Sequence, residues 1–419
     1  MPEKKIFIIA PHFPPSSMPP AQRVRLLVRH MRALKWRAFV FTVDHKYREE
    51  VSDPWMIELV GNEFEKVDVR CFDQRKTRKF GIGDLGLRML PFLFFTLIRY
   101  ARREKPDLIL YPVPPWYIMV IAPIVKWFTG RPYAIDFIDP WVQSAEKNKT
   151  FKAKVSQWIA RRLEGFAVRR SSAVFAVSKG ILNDLVERYP SVKNKPLVAV
   201  PYGVELDDYK YIHVNGIGSI PGKPVLRYIG AVSDSMLRVV KVFMQSLRKV
   251  AEQQPLLVEF IGTSYAGQGM VQPRVQFLVD ETGAGELVKE KPERVRYKDA
   301  LELSKSADVL LLFGDMTPYY AASKLMGLIA SQQPFFAFVH EESFPARFLR
   351  EMNYQYIVEY STEQKTPEQQ QPAVEQCLLQ LLRNLRQFTP PDINNPTFRE
   401  HTAYGMAETF VHTFKKISQ

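Results

Sequence analysis

KIFIIAPHFPPSSMPPAQRVRLLVRHMRALKWRAFVFTV, residues Lys5–Val43, is the stretch on which the fold turns. Lys5–Ala10 is a short apolar run without polar alternation, which predicts a strand buried on both faces. A Pro/Ser loop follows. From about Pro20 to Lys35, apolar residues recur at helical spacing among arginines, which predicts a basic amphipathic helix. Ala38–Val43 is a second apolar strand. Strand, helix and strand in so short a span form the unit of a parallel sheet covered by helices.

The same alternation continues outward. Asp107–Tyr111, Tyr133–Phe137 and Ala173–Val177 read as further strands, each after a helical segment and a turn signal. The stretch NGIGSIPG, residues 215–222, reads as a linker. Beyond it the pattern restarts with strands at Val225–Ile229, Leu256–Ile261, Val309–Phe313 and Phe335–Val339, and a helix at Arg238–Gln253. Thr366–Gln371 is polar and Gln-rich, a loop or a helix start, and Phe398–Ile417 reads as helical. A chain of 419 residues exceeds what one core serves. The expected division is 1–205, 206–395 and a tail, 396–419, packing back on the first domain. The expected fold class is α/β: two doubly wound domains across a cleft, with ligands beyond the carboxyl ends of the strands.

The net charge of +14 is uneven: residues 1–205 carry +15 and the remainder −1. Such asymmetry fits either a polyanionic partner for the first half, such as a membrane surface, or a solvated basic face. Cys71 and Cys377 lie far apart, which argues against disulfides and structural zinc. The N-terminal MPEKKIFIIA lacks a cleavage site and has a very short apolar run, so it reads as a first strand, not a secretory signal. Met89–Ile98 and Trp116–Val125 are strongly apolar but far shorter than the roughly 20 residues that span a bilayer. With Arg88, Arg99, Arg102 and Arg103 flanking it, the first run reads either as an interfacial helix or as a buried helix with a basic face.

Seven scattered histidines give no metal-binding spacing, and neither a P-loop lysine motif nor a GxSxG elbow is present. No nucleic-acid recognition module accompanies the basic half, and no nucleic-acid partner is expected.

Several segments, in order, resemble bacterial glycosyltransferases of family 4, particularly those of cell-surface polysaccharide assembly. They are FPPS (Phe13–Ser16) with AQR (Ala21–Arg23), KPDLIL (Lys105–Leu110) before Pro114 and Pro115, and DFIDPW (Asp136–Trp141). AVSK (Ala176–Lys179), VPYGV (Val200–Val204), SADVLLL (Ser306–Leu312) and SKL (Ser323–Leu325) before Pro334 complete the set. The resemblance implies a GT-B architecture of two Rossmann-like domains facing each other across a cleft, with an acceptor side in the first and a nucleotide-sugar site in the second.

The resemblance also assigns residues. On the acceptor side it points to Ser16, Ser17, Arg23, Trp141 and Gln143. The family's paired glycines fall at Ser17 and Met18, which reshapes or removes that ligand approach. Arg23 either aims a cation at the cleft or is a surface residue. Asp136 and Asp139 are the candidate catalytic carboxylates, able to orient or deprotonate a hydroxyl. Asp139 could instead cap the Asp-Pro turn. Trp141 could stack on a sugar, and the family's Arg between the two aspartates is Ile138. In the second domain the donor-side candidates are Gly230, Arg238, Lys241, Gly262, Thr263, Tyr319, Ser323 and Lys324. The family's Arg after the glycine is Ala231, with Arg238 or Lys241 as stand-ins for a nearby lysine. Its two glutamates are Tyr319 and Gly327. Lys324 either meets a phosphate or is one more exposed lysine.

The implied function is transfer of a sugar from a nucleotide-sugar donor to a lipid-linked or polysaccharide acceptor in cell-surface glycan biosynthesis. The implied chemistry retains anomeric configuration and needs no cofactor or obligatory metal. The implied location is cytoplasmic, peripheral at the inner face of an anionic membrane. The alternative is a catalytically degenerate GT-B binding or scaffold protein, favoured by the replaced donor-site residues.

Overall fold

The computed structural model describes residues 3–48, 52–142, 150–212, 214, 222–264, 271–317 and 324–418. The chain divides into two compact units, Met1–Gly203 with Ala403–Gln419, and Val204–Thr402.

The first unit is built on seven parallel strands: β1 (Lys4–Ile9), β2 (Trp36–Val43), β3 (Phe64–Val69), β4 (Leu108–Val113), β5 (Tyr133–Phe137), β6 (Ala173–Ala176) and β7 (Leu197–Ala199). Their order is β3-β2-β1-β4-β5-β6-β7. Alternation along β1 sends Phe7 and Ile9 into one core and Ile6 and Ile8 into the other. Both faces are therefore covered, and the run from Ile6 to Ile9 has to be apolar throughout.

Helix Pro19–Met31 covers one face, and helix Ala403–Ile417 packs beside it. Phe410 stacks on Phe175 at 4.4 Å, and Phe414 meets Trp36 edge-on at 5.6 Å. Each phenylalanine is fully buried, which contributes roughly 1.5–3 kcal/mol relative to exposure. The returning segment begins at Ala403. Helix Pro396–Arg399, which the sequence reading groups with the tail, belongs to the second unit.

The second unit repeats the plan with β8 (Val225–Ile229), β9 (Leu257–Ile261), β10 (Val288–Lys291), β11 (Val309–Phe313), β12 (Phe335–His340) and β13 (Ile357–Tyr360). The order is β10-β9-β8-β11-β12-β13, again parallel. Strand order reverses between β1 and β4 in the first sheet and between β8 and β11 in the second. A loop pair diverging at the carboxyl ends there opens a crevice for ligands. Most of the expected linker, 215–221, lies outside the described residues.

The helix carrying the first apolar run is Leu85–Glu104. Met89, Leu93, Leu97 and Ala101 form its inward stripe, and Arg88 is buried as well. No single described helix is long and apolar enough to cross a membrane.

Candidate functional site

In the first unit a cavity of about 380 Å³ opens at the carboxyl ends of β1, β4 and β5. Its wall includes His12, Arg48, Asp84, Arg88, Trp116 and Asp139. Asp139 sits exposed at the rim, with enough protein around its carboxyl that desolvation raises its pKa. Asp84 caps helix Leu85–Glu104 by accepting from the Leu87 amide at 2.9 Å, and burial raises its pKa too. The sequence reading does not assign His12, Arg48, Asp84, Arg88 or Trp116 to a site. Only Asp84 carried a local signal, an N-cap residue before an apolar helical run.

Asp136 is not available for catalysis. It is fully buried, and both its oxygens accept from Arg23, Oδ2 from Nε at 2.9 Å and Oδ1 from Nη2 at 3.0 Å. Arg23 also donates to the Pro201 carbonyl at 3.0 Å and lies 5.1 Å from the Phe410 ring centre. This arginine therefore aims inward and ties helix Pro19–Met31, β5, the segment after β7 and the C-terminal helix together. Neither expectation for Arg23, cleft cation or surface residue, describes it. The pair is buried on both sides, so the carboxylate has no exposed edge on which to meet a substrate.

Trp141 is also buried and is not a sugar platform. Its ring lies parallel to that of Trp116, at 6.3 Å and 5°, and meets Tyr117 edge-on at 5.1 Å. Trp116, on the cavity wall, presents the aromatic surface instead, held by donation from Nε1 to the Asp139 carbonyl at 3.2 Å. Ser16 is buried, pairs with Ser52 in an isolated antiparallel bridge and accepts from the Met18 amide at 3.3 Å; Ser17 is half-buried beside it. Met18 lines the cavity, followed by Pro19 and Pro20 at the first two positions of the helix. Prolines carry no N–H, so this helix start lacks two of the donors that would hold an anion. Gln143 lies outside the described residues.

In the second unit the carboxyl end of β8 brings Gly230, Gly262 and Lys324 together. Gly230 has φ +125°, and a Cβ there would fall 2.5 Å from the Lys324 ammonium. Gly262, after β9, has φ +73° and packs against Gly230. Both positions require glycine, one for space and both for backbone conformation. Lys324, just before helix Leu325–Ser331, donates to the Tyr228 hydroxyl at 2.8 Å and lies 4.1 Å over its ring. It is not an exposed lysine: it is half-buried, and desolvation depresses its pKa to about 7.

The other donor-side candidates are engaged elsewhere. Arg238 makes a bidentate pair with Glu368, both bonds 2.8 Å, and Lys241 pairs with Glu281 at 2.5 Å. Both pairs lie at the surface. Thr263 is fully buried and donates to Glu290, whose carboxylate also accepts the Arg274, Val275 and Gln276 amides. Glu290 thereby fills the start of helix Gln276–Thr282. Arg274, not singled out in the sequence, reaches the loop after β8 through Asp234 and the Val232 carbonyl. Tyr319 and Ser323 lie outside the described residues. Gly327 accepts from the Tyr209 hydroxyl at 2.9 Å, and a Cβ there would lie 3.2 Å from that oxygen. The Tyr209 hydroxyl thus crowds the Cβ of any side chain at position 327. Among the described residues, no group of His, Cys, Asp and Glu could hold a metal ion.

Residues 20–203 match the glycosyl transferase 4-like domain, which covers most of the first unit. Among curated proteins, none matches the chain in sequence. Similar solved structures include Anabaena Alr3699/HepE in complex with UDP, at 12% identity and TM-score 0.60, covering 99% of this chain and 100% of that one. Sucrose-phosphate synthase from Thermosynechococcus elongatus aligns at 12% identity and TM-score 0.59, with 99% of each chain covered. An α,α-trehalose-phosphate synthase (UDP-forming) from Burkholderia vietnamiensis aligns at 12% identity and TM-score 0.55, covering 99% and 100%. The chain therefore has the GT-B fold, and its residues 20–203 match the glycosyl transferase 4-like domain.

Proposed function

We propose that the chain transfers a sugar from a nucleotide-sugar donor to a lipid-linked or polysaccharide acceptor in cell-surface glycan biosynthesis. The observation that carries this reading is Lys324: a desolvated lysine with no carboxylate paired to it among the described residues, set against two glycines at the carboxyl end of β8. Such a group lies between its protonation states near neutral pH, and the negative charge of a bound diphosphate favours the protonated form. The glycines let phosphate oxygens approach the backbone. The same ammonium then stabilises the diphosphate as it leaves, which is where charge develops in glycosyl transfer. No metal is needed for that step.

On the acceptor side, Trp116 offers a face to a sugar ring and Asp139 accepts the proton of its attacking hydroxyl. The raised pKa of Asp139 makes it a better base than an ordinary exposed carboxylate. The basic first half faces the anionic inner surface of a membrane, where a lipid-linked acceptor resides.

A second reading is a binding or scaffold protein without turnover. It is favoured by Gly327, closed off by Tyr209, and by the engagement of Arg238, Lys241 and Thr263 in internal pairs. Calorimetric titration of nucleoside diphosphates, followed by transfer from the matching nucleotide-sugars, separates the two. UDP and UDP-glucose head the panel, because Alr3699/HepE is solved with each. Binding with turnover supports the enzyme, binding alone supports the scaffold, and no binding to any nucleotide overturns both.

A further inference from the structure

Three helices on one face of the first sheet carry an outward surface that folding leaves uncovered. Helix Leu85–Glu104 packs against Ala122–Thr129, which packs in turn against Phe151–Arg170. On the first, Phe95, Ile98, Arg99 and Arg102 recur at helical spacing opposite the buried stripe of Met89, Leu93 and Leu97. A groove of about 740 Å³ runs between Phe94, Phe95, Ile98 and Phe128, rimmed by Arg99, Arg102 and Arg103. The next helix adds Trp127, 79% exposed, beside Phe128. The third adds Phe151, Val155, Trp158 and Ile159, one apolar stripe, exposed along its length.

Charge on these helices is one-sided. Their only acidic residues are Glu104 and Glu164, and neither is available. Glu104 is paired with Lys5 and Arg103, and Glu164 is buried against Arg188. Exposed arginines at 99, 102, 103, 161, 162, 169 and 170 interleave with the aromatics, and Arg162 lies 5.3 Å over the Trp158 ring. Aromatic and aliphatic groups next to exposed guanidinium groups, of which only Arg103 has a carboxylate partner among the described residues, are the composition of an interfacial surface, not of a solvated face. A second copy of this chain would bring like charges together in a two-fold contact. A nucleic acid would leave Ile98, Val155 and Ile159 without apolar partners.

We infer that this three-helix face docks on an anionic lipid bilayer, with Phe95, Trp127, Phe128 and Trp158 entering the headgroup layer and the arginines pairing with lipid phosphates. This deepens the acceptor-side reading above by assigning the membrane contact to named residues. It is tested separately, because nucleotide binding reports the second unit.

The test uses the full chain with phosphatidylcholine vesicles, alone or mixed with phosphatidylglycerol, in flotation and tryptophan-emission measurements. Native protein floats with the anionic vesicles and its emission shifts to the blue; it stays behind with neutral ones. The Arg99→Gln/Arg102→Gln/Arg103→Gln variant loses roughly a hundredfold in partitioning. The Phe95→Ser/Trp127→Ser/Phe128→Ser variant also fails to float. Both variants alter exposed side chains only, so their melting temperatures and nucleotide affinity match the native chain. Equal flotation of native and aromatic-depleted protein, a preference for RNA over anionic vesicles, or concentration-dependent dimers abolished by the same substitutions would each overturn the inference.

Discussion

Lys324 and Tyr228 form a stacked, hydrogen-bonded pair: the ammonium lies 4.1 Å over the ring and 2.8 Å from its hydroxyl, 96 residues away in sequence. Among the described residues the Tyr228 ring face and hydroxyl compensate the desolvated charge, and both do so less strongly than a carboxylate. The pair is therefore poised between protonation states near neutral pH.

A pH dependence of stability follows from that poise. The folded pKa of about 7 lies below the ordinary lysine value of 10.5, so between those limits the unfolded chain binds the extra proton. Stability of the ligand-free protein from this group thus rises as pH increases from about 7 to 10.5 and is flat outside that window. Denaturant titrations across that range should show the slope, and Lys324→Met should remove it. Diphosphate binding at pH 8 to 9 should take up about one proton, read as buffer-dependent binding enthalpy, and the Met variant should take up none.

Breaking the Arg23–Asp136 pair should unfold the chain more than it slows it. Each single change, Arg23→Met or Asp136→Leu, leaves an uncompensated buried charge and should cost about 3–5 kcal/mol. The double change, which removes both charges, should recover much of that loss. A thermal or denaturant double-mutant cycle measures it, and a stable, inactive Asp136→Leu protein would contradict the structural role.

Trp116 and Trp141 are neighbours with different duties. Trp116→Ala should raise the acceptor KM roughly tenfold while leaving nucleotide affinity unchanged. Trp141→Ala should instead lower stability by about 3–5 kcal/mol, the usual cost of emptying a buried aromatic site. Steady-state kinetics paired with unfolding curves distinguish the two.

Asp139 should set the acidic limb of the rate profile. Its pKa is raised by burial, so the ionised base is lost as pH falls, at a higher pH than for a freely exposed aspartate. Asp139→Asn should lower kcat by about a hundredfold or more and abolish that limb. An unchanged profile would move the base elsewhere.

Gly327→Glu should not restore a family-like carboxylate. The new side chain has to displace the Tyr209 hydroxyl, already 3.2 Å from a Cβ at this position, and overpacking of this kind costs typically 1–3 kcal/mol. Combining it with Tyr209→Ala opens the space but forfeits a buried ring. Melting temperatures of the three variants report the balance.

The central strands of both sheets were legible because their signal is local. β1, β2, β4, β5 and β6, and β8, β9, β11 and β12, are buried on both faces, so each is a near-continuous apolar run. The four strands that the sequence reading lacks, β3, β7, β10 and β13, are the four sheet edges. FEKVDV, LVA, VKEK and IVEY are short or alternate with polar residues, because an edge is covered on fewer sides. Runs this short or this interrupted by polar residues do not separate from loops.

The candidate site divides along the same line. Gly230 and Lys324 stand out by type and place, since strand ends and glycines are written locally. Arg238 and Lys241 look equally suited in one dimension, yet Glu368, 130 residues on from Arg238, and Glu281 take them away from the site. Asp136 and Asp139 are three residues apart in one motif, and only the fold buries the first against Arg23 and leaves the second on a cavity wall. The sequence by itself determined the two parallel α/β units, because burial on both faces of a strand is a property of consecutive residues. Only the tertiary structure decided which charged and aromatic groups reach a ligand, because the partner that claims or frees each one comes from a distant part of the chain.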